Sequence, residues 1–402
     1  MPEPYYIDIF AGCGGLSTGL CHAGFRGLFA IEKNEEAFST LKHNLIDCSY
    51  HFSWPTWLPV EACDIIELLK NNAEQLVQLR ENVVLVAGGP PCQGFSMAGK
   101  RNQRDSRNQL IKSYVGFIKL VLPEAIIFEN VHGFTMNFIN KKQKTKNYSS
   151  HVERELRKAG YKISSKIIDM SEYGVPQVRK RFILVAMRNH SPEKVFNQLE
   201  QQRESFFSSK KLIAKTTVFD AIDDLKKGHG TVPSPDSKGF QAGQYGPQGS
   251  AYQKFMRNKL SKQTKIADSH RFVNHRPTTI KLHEELLANA PRGKRLAPGD
   301  VGAANLNRRG VTVLDPNGLA PTLTSIPDEM IHYSEPRILT VREHARLQSF
   351  PDWFHFKGKY TSGGQRRKQE VPRYTQIGNA VPPLFAEQIG KALLEVLNEN
   401  EQ

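Results

Sequence analysis

Cysteine is scarce in this sequence and is not arranged as in a metal site or a disulfide framework. The 402 residues include five cysteines, at positions 13, 21, 48, 63 and 92, all in the first quarter of the chain. Their number is odd, and no two form a Cys-x-x-Cys pair. The sequence therefore predicts neither a bound metal nor a disulfide network.

Long apolar runs are also missing. No uninterrupted stretch approaches the roughly 20 apolar residues that span a bilayer. The strand-like segment Tyr5–Phe10 begins so early that no signal peptide fits before it. We therefore expect a cytoplasmic protein.

Acidic residues are outnumbered by basic ones. The chain has 55 Lys and Arg against 40 Asp and Glu, a formal charge of +15 and an isoelectric point of about 9.5. This balance favours a polyanionic partner, and nucleic acid is the first candidate. Charge alone leaves an anionic membrane or a generally basic surface open.

The first half of the chain alternates short apolar runs with longer helical stretches. This pattern is typical of a parallel sheet covered by helices, and runs that are apolar throughout suit strands buried on both faces. The sequence therefore predicts a doubly wound α/β core. The predicted strands are Tyr5–Phe10, Leu28–Glu32, Val83–Ala87, Ala125–Glu129, Lys162–Ile168 and Phe182–Met187.

The regular alternation ends after Asn189. Gly228–Ser250 is rich in Gly, Pro, Ser and Gln, and would suit a disordered linker if taken alone. Apolar patterning returns at Ile280–Ala290 and Leu319–Ile326, which favours a second, irregular domain instead. Gln376–Pro383 is predicted to be a tight turn before a terminal helix. A chain of this length suits two domains, predicted as 1–189 with 375–402, and 190–374.

A glycine-rich loop follows the first predicted strand. Gly12, Gly14 and Gly15 let the backbone turn sharply and approach a ligand at the edge of the sheet. Position 17 is Ser instead of the third Gly of the dinucleotide fingerprint, and no phosphate-loop Lys follows, which disfavours a pyrophosphate.

Glu32 stands about 20 residues further on, where an acid accepts hydrogen bonds from ribose hydroxyls. Asp64 beside Ile65 suits an adenine amino group and ring face. The loop predicts a nucleoside ligand.

Cys92 lies in Gly-Gly-Pro-Pro-Cys-Gln-Gly-Phe-Ser, directly after the third predicted strand. Glycines and prolines fix its backbone path, which is unusual for a cysteine that merely packs in a core. In a parallel sheet, Glu129 at the end of the next strand comes close to it. Arg179 and Arg181 are placed to reach the same pocket or flanking phosphates. A thiol, a carboxyl group and two guanidinium groups are therefore predicted to share one site.

These segments together resemble the DNA cytosine-5 methyltransferases of bacterial restriction-modification systems, in the family's order and over almost the whole chain. The matching segments are Phe10–Gly15, Glu32, Asp64–Ile65, Gly88–Ser96, Asp105–Arg107, Glu129–Val131, Gln177–Arg181, Arg337–Pro351 and Gln376–Pro383. The resemblance implies a doubly wound mixed sheet of the Rossmann-like S-adenosylmethionine-dependent type, with a smaller target-recognition domain organised by residues 337–351.

The resemblance also implies S-adenosylmethionine as cofactor and S-adenosylhomocysteine as product. The residues implied to line its site are Phe10, Gly12, Cys13, Gly14, Gly15, Leu16, Glu32, Asp64, Ile65, Pro90, Leu110, Asn379 and Val381. One position departs from the family's pattern, because Lys33 stands where relatives often have an apolar or aromatic residue that packs on adenine.

The implied reaction proceeds through a covalent bond between Cys92 and a cytosine rotated out of double-stranded DNA, with Glu129, Arg179 and Arg181 as further catalytic residues. The segment Ser96–Arg107 resembles the loop that closes over the base. The resemblance further implies a monomer near the nucleoid and a cognate restriction endonuclease. The implied DNA-binding residues are Gln93, Ser96, Lys100, Arg101, Arg107, Arg292, Lys294 and Thr322.

Two other functions are weighed against this one. A tRNA cytosine-5 methyltransferase would use the same catalytic parts, but the Cys-Phe-Thr segment of that branch is missing. A catalytically inactive DNA-binding regulator would not need both Cys92 and Glu129. We therefore expect an active DNA methyltransferase that reads its target through the segment from Asn189 to Pro336.

Overall fold

A computed structural model describes residues 3–91, 106–136, 138–139, 145–297, 300, 310–362 and 370–399 of the chain. Cys92 lies outside these ranges. The chain divides into two compact units. The first comprises Met1–Asp169, Lys180–Arg203 and Phe385–Gln402, and the second comprises Met170–Arg179 and Glu204–Leu384.

The first unit is built on a six-stranded mixed sheet. Its strands are β1 (Tyr5–Ile9), β2 (Arg26–Ile31), β3 (Leu85–Gly88), β4 (Ala125–Val131), β7 (Lys162–Asp169) and β8 (Lys180–Met187), in the order β2-β1-β3-β4-β8-β7. The first four in that order are parallel, whereas β8 runs antiparallel to both β4 and β7. A separate hairpin joins β5 (Phe138–Ile139) and β6 (Thr145–Lys146).

Helices cover this sheet because its strands are apolar on both faces. Ile7, Val86, Ile126 and Leu184, one from each of four strands, are fully buried in the core of the unit. The helices are α1 (Gly15–Ala23), α2 (Glu35–Leu41), α3 (Ile65–Asn71), α4 (Ala73–Val77), α5 (Ser106–Val121), α6 (Tyr148–Lys158), α7 (Pro192–Gln201) and α14 (Pro383–Asn398), with a π-helical turn at Lys42–Asp47.

The second unit contains two small sheets and short helices. One sheet has the order β11-β10-β9 and the other β12-β13-β14. The strands are β9 (Thr231–Pro233), β10 (Gln241–Gln244), β11 (Ile266–Arg271), β12 (Arg295–Leu296), β13 (Val311–Val313) and β14 (Met330–Ile331). The helices are α8 (Arg203–Lys210), α9 (Val218–Ile222), α10 (Ala251–Met256), α11 (Pro277–Asn289), α12 (Val341–Leu347) and α13 (Arg373–Asn379).

Helix α12 carries buried charges that tie the second unit together. Arg342 and Arg346 are 0% exposed. Arg346 lies 3.2 Å from Asp224, and Arg342 lies 3.1 Å from Asp268. Each buried guanidinium is satisfied by a carboxylate from a distant part of the unit, so these pairs fix how its loops fold around α12.

The sheet is mixed, as the resemblance implies, and it is parallel only as far as β4. The apolar segment Leu319–Ile326 forms no strand, apart from an isolated bridge between Ala320 and Gln177. One local expectation from the sequence is wrong, because Gln376–Asn379 is the last turn of α13 and not a tight turn. In the described ranges, no helix combines the length and the apolar character needed to cross a membrane.

Candidate active site

The glycine loop makes a sharp turn between β1 and α1. Phe10, Gly12 and Gly14 have positive φ angles of 63°, 57° and 91°. Gly14 is required for a second reason, since a Cβ atom there would lie 2.9 Å from Leu45 Cδ1. The loop thus turns sharply at the carboxyl end of β1, where its backbone can pass close to a ligand.

Glu32 connects this loop to the end of β2. Its Oε2 accepts a hydrogen bond from Gly12 N at 2.9 Å, and its Oε1 accepts one from Asn34 N at 2.7 Å. Burial raises the pKa of Glu32, while these backbone hydrogen bonds oppose the rise. These bonds fix the direction of the carboxylate, which is suited to accept hydrogen bonds from the hydroxyls of a ribose.

Asp64 caps α3 at the same edge of the sheet. The backbone amide of Cys63 donates to Glu32 O at 2.8 Å, which links the two acidic segments. Asp64 Oδ1 accepts from Ile66 N at 2.9 Å, and Asp64 Oδ2 accepts from Lys33 Nζ at 2.6 Å. The structure thus brings the glycine loop, Glu32 and Asp64 together as one cluster.

Other predicted cofactor residues are mostly packed into the core. Cys13, Leu16 and Ile65 are 1%, 5% and 2% exposed, respectively, and Gly15 is buried as well, whereas Leu110 is half-buried. Burial raises the pKa of Cys13 to about 12, so its thiol stays protonated near neutral pH. Cys13 therefore serves the shape of the loop and not nucleophilic chemistry.

The segment leading to Cys92 is pressed against the end of β4. A Cβ atom on Gly89 would lie 1.9 Å from Glu129 O, so only glycine permits this approach. Asn130 Nδ2 donates to Pro90 O at 3.1 Å. The backbone three and two residues before Cys92 is therefore held directly beside Glu129 and Asn130, as the order of the strands predicts.

Glu129 forms an ion pair with Arg181. In the antiparallel pair of β4 and β8, Glu129 lies opposite Ile183 and Val131 lies opposite Arg181. Arg181 Nε lies 3.1 Å from Glu129 Oε1, and the two side chains are 12% and 17% exposed. This arrangement fixes one carboxylate oxygen in a partly desolvated site, where charged hydrogen bonds are strong.

Family comparison identifies the chain. The model of the C-5 cytosine-specific DNA methylases matches residues 5–395. The chain belongs to this family. It is a DNA cytosine-5 methyltransferase, and the predicted fold class and enzyme activity are thereby confirmed.

Individual relatives cover nearly the full methyltransferase chain. It is 29% identical to the Type II methyltransferase M.XorII of Xanthomonas oryzae pv. oryzae, over 100% of this chain and 87% of that protein. It is 31% identical to M.PspPI of a Psychrobacter species, over 98% and 79%. A crystal structure from E. coli, of a prophage-encoded protein described as a DNA modification methyltransferase, matches with 26% identity and a TM-score of 0.68, over 99% and 100%.

Arg179 of this methyltransferase has a different environment from Arg181. It belongs to the second unit, is 1% exposed, and donates to Gly378 O at 3.1 Å and Ala380 O at 2.9 Å. These carbonyls flank the exposed Asn379. Arg179 therefore supports the turn that carries Asn379 and Val381, and the cofactor contact of those two residues stays a prediction.

The predicted DNA-binding residues of the methyltransferase are only partly described. Gln93, Ser96, Lys100 and Arg101 lie outside the described ranges, as does Cys92, and Arg107 is described by its backbone in α5 alone. Lys294 is exposed.

Two of the described residues are engaged within the second unit. Arg292 donates to Tyr333 O and Leu287 O, both at 2.8 Å, and Thr322 Oγ1 donates to Val178 O at 2.6 Å. These bonds fix local loops, so binding of DNA by either side chain stays a prediction.

Sequence reasoning missed two positioning residues. Asn130 was seen only as part of the Glu-Asn-Val segment, yet its amide fixes Pro90. Gln177 Nε2 donates to Leu347 O at 2.9 Å and its Oε1 accepts from Leu323 N at 3.1 Å. The sequence marks Gln177 only by its place beside the charged run of residues 179–181. Its 0% exposure in the structure explains why its amide must be hydrogen-bonded.

Proposed function

We propose that this methyltransferase binds S-adenosylmethionine at the glycine loop, forms a covalent bond between Cys92 and a flipped cytosine, and modifies one short sequence in duplex DNA. The observation that carries the proposal is the attachment of the Gly89–Pro90 backbone to Glu129 and Asn130. It brings the segment that leads to the candidate nucleophile Cys92 against a carboxylate that is paired with Arg181.

The side chains around the glycine loop fit such a cofactor. Glu32 offers acceptors to ribose hydroxyls, and Asp64 offers an acceptor to the 6-amino group of adenine. Two carboxylates in one cluster would repel a phosphate-bearing ligand, which agrees with a nucleoside that carries none. When bound, S-adenosylmethionine supplies an electrophilic methyl group on a sulfonium sulfur.

Cys92 supplies the nucleophile. Carbon 5 of cytosine is too poor in electrons to accept a methyl group directly. Addition of the Cys92 thiolate to carbon 6 forms a sulfur–carbon bond and moves the carbon 5–carbon 6 electron pair toward carbon 5. Carbon 5 then takes the methyl group and loses its proton to a base such as water. The electrons of that carbon–hydrogen bond restore the double bond, and Cys92 leaves as thiolate.

Glu129 assists the addition step. As Cys92 adds, negative charge develops on the ring and is offset by a proton or hydrogen bond at ring nitrogen 3, which Glu129 is placed to give. Arg181 holds Glu129 Oε1 and so sets the direction of Oε2. We assign Arg181 to orienting Glu129, and Arg179 to supporting the turn around Asn379.

Attack on the face of a base requires the cytosine to leave the helical stack. The basic segment 96–107 is suited to close over the extruded base and its phosphates. Residues 190–374 are proposed as the target-recognition domain, because reading bases in the major groove needs a surface separate from the chemistry.

The biological role proposed is protection of host DNA in a restriction-modification system, since the named relatives are Type II methyltransferases. The test is to express the chain in a host that lacks cytosine methylation and to sequence its DNA for 5-methylcytosine. We expect methylation at every copy of one short sequence. Unmethylated DNA, or methylation without sequence preference, would refute the proposal.

A further inference from the structure

Lys33 and Asp64 form an ion pair at the adenine end of the proposed cofactor site. Lys33 Nζ lies 2.6 Å from Asp64 Oδ2. The Lys33 side chain is 77% exposed, whereas that of Asp64 is 15% exposed. The lysine therefore lies on the solvent side of a carboxylate that the cofactor is proposed to meet.

Asp64 has a fixed orientation. Its Oδ1 accepts from Ile66 N at 2.9 Å as the cap of α3, so Oδ2 is the oxygen left to serve both Lys33 and a ligand. The bond from Cys63 N to Glu32 O keeps the two segments adjacent. Lys33 follows Glu32 directly, so the ion pair lies beside the carboxylate that is proposed to bind the ribose.

The pair stays charged at neutral pH. Burial raises the pKa of Asp64, but the hydrogen bonds from Lys33 and Ile66 N outweigh it and hold this pKa below its ordinary value. The hydrogen bond to Asp64 and the charges of Asp64 and Glu67 raise the pKa of Lys33. An exposed pair of this kind contributes little to folding because water screens it, so it can be altered without loss of the fold.

We propose that Lys33 is a specificity-determining residue of the cofactor site. Its ammonium group supplies a hydrogen-bond donor beside the acceptor Asp64, at carbon 6 of the purine. The inference rests on the proposed cofactor site. A 6-amino group donates to Asp64, as in adenine. A 6-oxo group can only accept, and a carboxylate alone would repel it. The Lys33 ammonium group donates to that oxygen, so this enzyme tolerates a 6-oxo purine that Asp64 alone would reject.

The test measures binding, by calorimetry at low salt, of S-adenosylhomocysteine and of its 6-oxo analogue S-inosylhomocysteine to the full chain. Lys33→Met keeps the length of the side chain without its charge, and Lys33→Arg keeps a donor. Lys194→Met is the matched control, because Lys194 Nζ also lies 2.6 Å from a carboxylate, that of Glu399, and is 58% exposed.

We expect Lys33→Met to weaken binding of the 6-oxo compound by about tenfold, the scale of one charged hydrogen bond, and to leave adenosyl binding within roughly threefold. The 6-oxo purine also carries a proton on ring nitrogen 1, where adenine has a lone pair, but wild type and Lys33→Met meet this difference equally. The change in the ratio of the two affinities between the two proteins therefore isolates the effect of Lys33. Lys33→Arg should restore the wild-type ratio, and Lys194→Met should not change it.

An unchanged ratio in Lys33→Met, or equal weakening of both compounds, would overturn the assignment of Lys33. A separate outcome concerns the cofactor site itself. If wild-type protein bound neither compound, the proposed site would fail along with the inference. Binding of S-adenosylhomocysteine that is lost in Glu32→Ala would show that the site stands, whatever the result for Lys33.

Discussion

At the scale of single residues, the proposed catalytic site depends on the contacts that fix the Glu129 carboxylate. Its carboxylate is paired with Arg181 from β8, its backbone packs against Gly89, and the side-chain amide of Asn130 holds Pro90, so the segment before Cys92 is fixed beside it. A side chain constrained in this way loses little entropy when it meets a base, which is the purpose of such preorganisation. The pair therefore predicts a kinetic role for Glu129 and not mainly a structural one.

Glu129→Gln should slow methyl transfer by about 100-fold or more, because an amide keeps the shape of the side chain but cannot supply a proton. DNA affinity should change much less. Single-turnover transfer of labelled methyl groups, together with a DNA-binding titration, measures both. A rate near that of wild type would reduce Glu129 to a structural partner of Arg181.

At the scale of elements, β1 and α1 are joined through a buried carboxyl group. Ser17 Oγ of α1 donates to Asp8 Oδ2 of β1 at 2.6 Å, and Asp8 is 1% exposed. Burial raises the pKa of Asp8 to about 7, opposed by the Ser17 hydrogen bond and reinforced by the charge of Glu32. Ser17, which replaces the glycine of the dinucleotide fingerprint, thus has a structural function in this loop.

This raised pKa predicts a pH-dependent stability with a definite sign. The folded state holds a proton on Asp8 that the unfolded chain releases near pH 4. The contribution of Asp8 is therefore complete below about pH 4 and is lost as pH rises through about 7. Between these values it falls by at most about 1.4 kcal/mol per pH unit.

Asp8→Asn removes this titration while keeping the shape and one acceptor. Relative to wild type, the variant should gain unfolding free energy between pH 5 and pH 8, measured by urea denaturation. Other titrating groups, such as the buried histidines of the second unit, cancel in the difference between the two proteins. A constant difference across this range would contradict the raised pKa.

The elements also show what the sequence could predict. All six strands of the large sheet were predictable. Most are nearly continuous apolar runs, as strands buried on both faces are, whereas β7 at the sheet edge contains polar, exposed residues. The reversed direction of β8 could not be read from the apolar runs, since apolar content is the same in either direction. Leu319–Ile326 resembles a strand by composition, yet its polar groups bond to Gln177 and Val178, distant in the chain.

The candidate site was predictable to a similar degree. Glu32 and Glu129 follow from their places near strand ends, and Asp64 follows from its place beside Ile65 in the pattern that resembles the family. The difference between Arg179 and Arg181 could not be read from the sequence, because it depends on which unit each side chain packs in. The Lys33–Asp64 pair likewise joins residues 31 positions apart and has no local signal.

At the scale of the whole molecule, chemistry and recognition are proposed to lie in different parts of the chain. Replacing residues 190–336 by the corresponding segment of a relative with another target should redirect methylation, because the groove-reading surface moves with that segment. Bisulfite sequencing of DNA from the expressing host measures the new site. An active chimera that still modified the original sequence would place recognition elsewhere, with the segment 96–107 as the next candidate.

The central claim, covalent catalysis by Cys92, is tested most directly by trapping. Duplex DNA that carries 5-fluorocytosine in the target site blocks the last step, because fluorine cannot leave as the proton does. Wild-type protein and Cys48→Ser, which removes an exposed thiol, should both form a stable protein–DNA adduct with the cofactor present. Peptide mapping should place the bond on Cys92, and Cys92→Ser should form none. An adduct that persists in Cys92→Ser, or that maps to another residue, would contradict the account.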